Sequence, residues 1–434
     1  MHVPYSDAVE PSNIAVDYAR PHGLRRMRGR DPLERHRTTT PLELLFDLTF
    51  VVAFAQAGDQ LAHFVAEGHI ATAVWGFLFV IFSVCWAWIN FTWFASAFDT
   101  DDWLQRLLTM VQMIGAIILA LGIPTVFESI DHGEAFNYTV VAAGYVVMRV
   151  SLIAMWFRVA KQDPVNRRVA LRYAVFNALI QAGWVTVAFL QIDNVPLVAV
   201  LMVGLWAAEL AGHPFATRNA DDQHATWQGT PWNAHHIVER YGLLVIITLG
   251  EGILGTIAAV SAVIEHVGWT SEAILIVIAG TGLTFGLWWT YFIVPSAPVL
   301  SRHRKRKWAW GYGHIILFGA IAAVGAGLHV AAYAAEGSAT IGTVGVVLSV
   351  AIPVFVFCLV YFILYSVLFR AVVPLHVLLA AGMVLFLVLG VVLSVAGLPL
   401  GWCLVVVMLS PFVVAVGYET LGYRHIEADV RREG

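Results

Sequence analysis

Charge is what this chain has least of. Only 12% of its 434 residues are Asp, Glu, Lys or Arg, whereas a soluble domain carries roughly 25% to cover its surface. With 59% hydrophobic residues and a mean hydropathy of +0.76, the chain requires lipid as its solvent. Cysteine is scarce too. Cys85, Cys358 and Cys403 lie in apolar runs without CxxC or Cys/His spacing, so they read as small core residues, not as a disulfide framework or metal site. No phosphate loop, nucleophile elbow, zinc signature or paired haem-ligand pattern occurs, and no cofactor or metal is expected. A net charge of −4 without a basic stripe excludes nucleic acid as a partner.

A second absence is positional. A membrane span takes about 20 apolar residues at 1.5 Å rise, and twelve stretches between residues 43 and 420 qualify. Six alternate connections between them hold Glu67, Glu128, Asp131, Glu134, Asp193, Glu265, Glu272 and Glu336 but no Lys or Arg. The other connections hold Arg158, Lys161, Arg167, Arg168, Arg172 and the run SRHRKRK at 301–307. Such one-sidedness marks an all-α, polytopic integral membrane protein with both termini in the cytoplasm and the bilayer as its constant partner. Residues 1–40 contain seven arginines from Arg20 to Arg37 and no apolar core of the kind a cleaved signal needs, so they read as a retained cytoplasmic segment.

The spans also repeat. PLELLFDLTFVVAFAQ (41–56) can be laid on HIVERYGLLVIITLGEG (236–252), WAWINFTWF (86–94) on LWWTYF (287–292), and IGAIILALG (114–122) on FGAIAAVGA (318–326), at offsets of 196, about 201 and 204. The order and near-constant offset predict two six-helix repeats, 41–211 and 236–422, joined by a cytoplasmic connection at 212–235 and followed by a tail at 423–434. Because six is even, the repeats share one orientation about an axis along the membrane normal.

Chemistry is expected at ionisable residues within the spans, because a charge near the bilayer centre costs about 2.5–3.5 kcal/mol unless paired or wet. Glu43 and Asp47 are four apart and share a helical face. Glu239 and Glu251 occupy the corresponding part of the second repeat, with His235, His236 and Arg240 in the same motif, and Arg149 lies about 13 Å from the cytoplasmic end of its span. These eight residues form the candidate polar site. Arg149 is expected to pair with Asp47 or Glu251, so that the motifs starting at Glu43 and His235 meet. His235, His236 and Glu239 have ligand-like spacing but no second ligand pair, and read as a polar helix start. The acids at 99–102 read as N-caps. Trp86, Trp88, Trp93, Trp288 and Trp289 read as an interfacial aromatic belt.

Several segments are similar to a known family. RTTTPLELLFDLTFVVAFAQ (37–56), WAWINFTWFASAFDTDDWLQRL (86–107), Tyr145 with Arg149, HHIVERYGLLVIITLGEGIL (235–254), LWWTYF and YGHIILFGAIAAVGAG (312–327) resemble the bacterial low temperature requirement A (LtrA) proteins, in the family's order. The resemblance implies a polytopic bacterial inner-membrane protein and no particular reaction. The Arg-then-Phe-Asp near the first span also resembles the FSD-motif potassium channels, but Ser is absent and the order is Phe46-Asp47, so that signature is broken. Two functions follow as expectations: a transporter or channel for a small solute or ion, or a membrane-embedded enzyme or cofactor protein acting on lipids or redox carriers. A wet cavity lined by Asp47, Arg149 and Glu251 would favour the first.

Overall fold

The computed structural model describes residues 23–34, 37–190, 192, 194–218, 230–370, 374–423 and 431. Arg20, Arg35, Asp193, Arg424 and Arg432, residues 219–229 of the 212–235 connection and nearly all of the tail lie outside them. Among the described residues there is no strand, and twelve helical segments are long and apolar enough to cross a membrane. In chain order the helices are α1 (Pro41–Ala66), α2 (Ile70–Phe98), α3 (Trp103–Leu121), α4 (Ile123–Asp131), α5 (Thr139–Gln162), α6 (Arg167–Leu190) and α7 (Val195–Thr217). The second half holds α8 (Ala234–Val267), α9 (Ser271–Phe292), α10 (Ser296–Arg302), α11 (Lys307–Ala335), α12 (Thr343–Phe369), α13 (Pro374–Val395) and α14 (Leu400–Gly417). Two spans are broken. Gly122 and Pro124 divide α3 from α4, and Pro295 lies between α9 and α10, where the ring removes a helical donor.

In the first half α1 packs on α2 and α3, α3 on α5, α5 on α6 and α6 on α7; in the second α8 packs on α9 and α11, α11 on α12, α12 on α13, α13 on α14 and α14 back on α9. The halves join where α1 meets α8 and α11. Lipid supplies no hydrophobic drive between helices, so close backbone approach must come from small residues. A Cβ on Gly255 would stand 2.4 Å from the Gly325 carbonyl oxygen, and one on Gly325 would stand 2.6 Å from the Glu251 backbone. Gly325→Val is therefore expected to push α8 off α11 and cost at least about 1–3 kcal/mol, the usual range for overpacking. A thermal melt in detergent reads this as a lowered midpoint; an unchanged melt would show that the seam can open without cost. Cys85, Cys358 and Cys403 are all buried as free thiols.

One end of the bundle is rich in arginine, and the segment before α1 straps it together. The Met27 amide donates to Gln162 Oε1 at 2.7 Å and the Gly29 amide to Asp163 Oδ2 at 2.8 Å, after α5. Asn233 Nδ2 donates to the Glu34 carbonyl at 3.0 Å, which ties the start of α8 to the same strap. Arg37 lies 3.7 Å from Asp99. With twelve crossings, α14 also ends here. At the opposite end the contacts use acids, histidine and backbone: Thr340 donates to the Ala66 carbonyl at 2.8 Å and His69 lies 2.7 Å from Asp131.

Asp102 anchors the arginine-rich end. It caps α3 by accepting from the Gln105 amide at 2.9 Å, accepts from the Arg25 amide at 3.1 Å and pairs with Arg158 at 3.0 Å. Burial works against its charge, but these hydrogen bonds outweigh burial and hold its carboxyl at about 2, below the ordinary Asp value of about 3.9. A depressed carboxylate stabilises the fold fully above its unfolded pKa, and that contribution is lost as pH falls through the folded value. The melting midpoint should drop between about pH 4 and pH 2, and Asp102→Asn should flatten that segment of the curve while lowering the midpoint at neutral pH.

Candidate functional site

Two helix starts build the first polar cluster. Thr40 caps α1, accepting from the Glu43 amide while Glu43 Oε2 takes the Thr40 amide at 2.9 Å, a reciprocal capping box. Asn233 caps α8 by accepting from the His236 amide at 3.0 Å. Counting from each cap, Glu43 and His236 are third and Asp47 and Arg240 seventh, so each pair shares one helical face. The faces oppose. His236 Nε2 lies 3.2 Å from Glu43, Arg240 Nη1 lies 2.9 Å from Glu43 Oε1, and Arg240 Nη2 donates to Asp47 Oδ1 at 2.5 Å. Trp88 Nε1 adds a 2.6 Å bond to Asp47 Oδ1. Both contacting pairs are separated by 193 residues, whereas the sequence match was laid at 196.

The charges of this cluster do not balance. Two carboxylates face one guanidinium, and Asp47, Arg240 and His236 are each 0% exposed. With neutral imidazole the net charge is −1, and one added proton brings it to zero. Two positions can take that proton without breaking a bond, since Asp47 Oδ2 and His236 Nδ1 are buried and have no hydrogen-bond partner. His235 and Glu239 point elsewhere. Both are exposed, and Glu239 accepts from the Thr39 amide at 3.2 Å.

Arg149 forms a second cluster, and here the sequence expectation is corrected: its partner is Glu209 of α7, not Asp47 or Glu251. Arg149 Nη2 lies 2.7 Å from both Glu209 oxygens, and Arg149 also donates to Asn90 and Asn177. Trp86 Nε1 completes Glu209 at 2.7 Å, His213 approaches Asn90 at 3.1 Å, and the guanidinium sits 5.3 Å from the Tyr145 ring centre. The physical reason for the miss is helix length. α7 runs through Pro214 to Thr217, which puts Glu209 about 12 Å from its end at helical rise, deep enough to meet Arg149. Trp86 and Trp88 are likewise interior, 1% and 0% exposed, and are not interfacial belt residues. Asn177 with Gln181, and Glu209 with His213, are four-residue pairs within apolar helices, a spacing signal that points to them in retrospect.

Glu251 joins neither cluster. It lies eleven residues along α8 from Arg240, about 16 Å, and packs beside Gly58 and Gly325 near Asp59, which stands 3.8 Å from His329. Asp47, Arg149 and Glu251 thus do not line one cavity. Two recesses lie instead within the halves: a narrow one among α2, α5, α6 and α7, with Glu209 on its wall, and a somewhat wider one among α8, α9, α11 and α12. In the second, Tyr291 donates to His314 Nε2 at 3.1 Å while Nδ1 donates to the Trp310 carbonyl at 2.7 Å.

The family profile of the bacterial low temperature requirement A protein matches residues 38–411. The chain belongs to this family. An uncharacterized protein of Rhizobium meliloti (strain 1021) is 27% identical to it over 339 residues, covering 73% of this chain and 74% of the relative. No solved structure matches the chain. In this LtrA-family protein, the segments 37–56 and 235–254 are the ones that build the α1/α8 cluster, and 86–107 supplies Trp86, Trp88, Asn90 and the Asp102 anchor.

Proposed function

We propose that this LtrA-family protein is a proton-linked transporter of a small solute or ion in the bacterial inner membrane, its arginine-rich end in the cytoplasm. The observation that carries this reading is the unbalanced α1/α8 cluster. A fully buried odd charge is costly and ionisable groups in the membrane mark ion and proton paths, and Glu43, Asp47, His236 and Arg240 change from charged to neutral by taking one proton. Asp59, Glu251 and His329 stand further along the same seam and serve as its outer proton groups. The equal 193-residue separation of the two contacting pairs supports two six-helix repeats related by an axis between α1 and α8, the arrangement in which transporters place sites at a repeat interface.

Proteoliposomes loaded with a pH-sensitive dye test this directly. Pools of small bacterial metabolites applied outside should move protons across vesicles containing the protein, and Asp47→Asn together with His236→Gln, which removes both proton positions, should abolish the signal. Vesicles with wild-type protein that respond to every pool as empty vesicles do would contradict transport.

A further inference from the structure

The strap before α1 leaves positive charge uncompensated at the arginine-rich end. It docks through its backbone and one apolar side chain: the Met27 and Gly29 amides bond Gln162 and Asp163 after α5, Met27 is fully buried, and a Cβ on Gly29 would stand 2.9 Å from Asn166 Nδ2. The strap thus lies directly on the turn between α5 and α6. Arg26 and Arg28 of the strap are exposed there, and so are Lys161 at the end of α5 and Arg167 and Arg168 at the start of α6. Arg26 Nε donates to the Gln162 carbonyl at 2.8 Å, but none of the five pairs with a carboxylate among the described residues. Asp163, the acid of the turn, is buried and occupied by the amides of Gly29, Val165 and Asn166. Five like charges share one patch without a counter-ion.

The helices that lead away from the patch narrow the chemistry of what neutralises it. On α5, Val150 and Phe157 are exposed and Lys161 follows; on α6, Arg168 is followed by exposed Val175 and Leu179. Spacings of seven and four keep each set on one helical face. Each face runs from a cation at the turn into bare apolar surface, which is the order in which a phospholipid presents its phosphate and its acyl chains. Val165, at the tip of the turn among the cations, is exposed too, as suits a segment resting at the boundary of headgroup and acyl chain. A soluble phosphate would meet the cations and leave the apolar faces unused. A zwitterionic headgroup brings its own cation, whereas each Lys or Arg close to an anionic lipid surface strengthens binding by roughly fivefold.

We infer that the strap and the α5–α6 turn form a seat for the headgroup of an anionic phospholipid, whose acyl chains lie along α5 and α6. The phosphate joins Arg28 of the strap to Arg167 and Arg168, and so staples the strap to the bundle. This seat is separate from the α1/α8 cluster and is measured by binding and stability, so it stands or falls independently of transport.

The full chain in nanodiscs of phosphatidylcholine, with or without added phosphatidylglycerol, tests the seat by thermal melting and by native mass spectrometry of the lipids retained. Wild type should retain phosphatidylglycerol in preference to phosphatidylcholine and melt higher when it is present. Arg167→Gln with Arg168→Gln should weaken that retention by roughly twentyfold, about fivefold for each cation, and remove the lipid dependence of the melt. Arg302→Gln with Lys305→Gln takes two exposed cations from the same end of the molecule and should change neither, which separates a seat from the general charge of that face. Arg28→Gln, in the strap and outside every helix, carries the comparison at about fivefold if the helix variant fails to fold. Inorganic phosphate or glycerol 3-phosphate added to phosphatidylcholine discs should leave the melt unchanged. Phosphatidylglycerol held no better than phosphatidylcholine, retention unmoved by the seat variants, equal loss in the two double variants, or a soluble phosphate that reproduces the shift would overturn the inference.

Discussion

Arg149→Met should cost the protein about 3–5 kcal/mol, the range for breaking one side of a buried ion pair. The guanidinium spans four helices, joining Glu209 of α7 to Asn90 of α2 and Asn177 of α6 from its place on α5. Its loss strands Glu209 at 2% exposure with only the Trp86 bond left. Arg149→Met combined with Glu209→Leu should recover most of the loss, because apolar replacement of a whole buried pair is often neutral or better. Melting curves of the two variants and wild type decide it. A double variant as unstable as the single one would mean that Arg149 acts through the asparagines and not through Glu209.

Arg240→Met should be at least as damaging, by about 3–5 kcal/mol or more. Arg240 is the guanidinium between Glu43 and Asp47, so its removal leaves two carboxylates facing each other in a site 0–2% exposed. The triple replacement Glu43→Leu, Asp47→Leu, Arg240→Met should restore the melting temperature toward wild type yet remain dead for proton-linked flux. That split separates a lock between α1 and α8 from a working site, since a lock alone would leave the triple variant active.

The number and depth of the spans were legible because twenty apolar residues are long enough to cross a bilayer, and TM helices carry that signal along the chain. Half of the α1/α8 cluster was legible for a related reason: Glu43 and Asp47 are four apart, which fixes a face as well as a depth, whereas Arg149 rather than Arg240 was the expected cation for that face. What hydropathy does not carry is rotation about the helix axis. Trp86 and Trp88 suit an interfacial belt and a packed interior equally by composition, and only the packing of α2 against α7, α8 and α11 turns them inward. The partner of Arg149 failed on depth for a local reason. With α7 ending at 211, Glu209 stands about 3 Å from the boundary, and with α7 running to Thr217 it stands about 12 Å in. Pro214 invites the shorter reading, and the helix passes through it.

Proton uptake by the α1/α8 cluster is open to a measurement that needs no solute. Vesicles containing the protein are adsorbed on a solid-supported membrane and given a rapid pH jump, and the charge displaced as protons enter the buried site is recorded as a transient current. Wild type should give a pH-dependent transient, and Asp47→Asn together with His236→Gln should remove it while Arg149→Met with Glu209→Leu keeps it. A wild type without a transient, or a transient unchanged when Asp47 and His236 are replaced, would contradict proton exchange at this site.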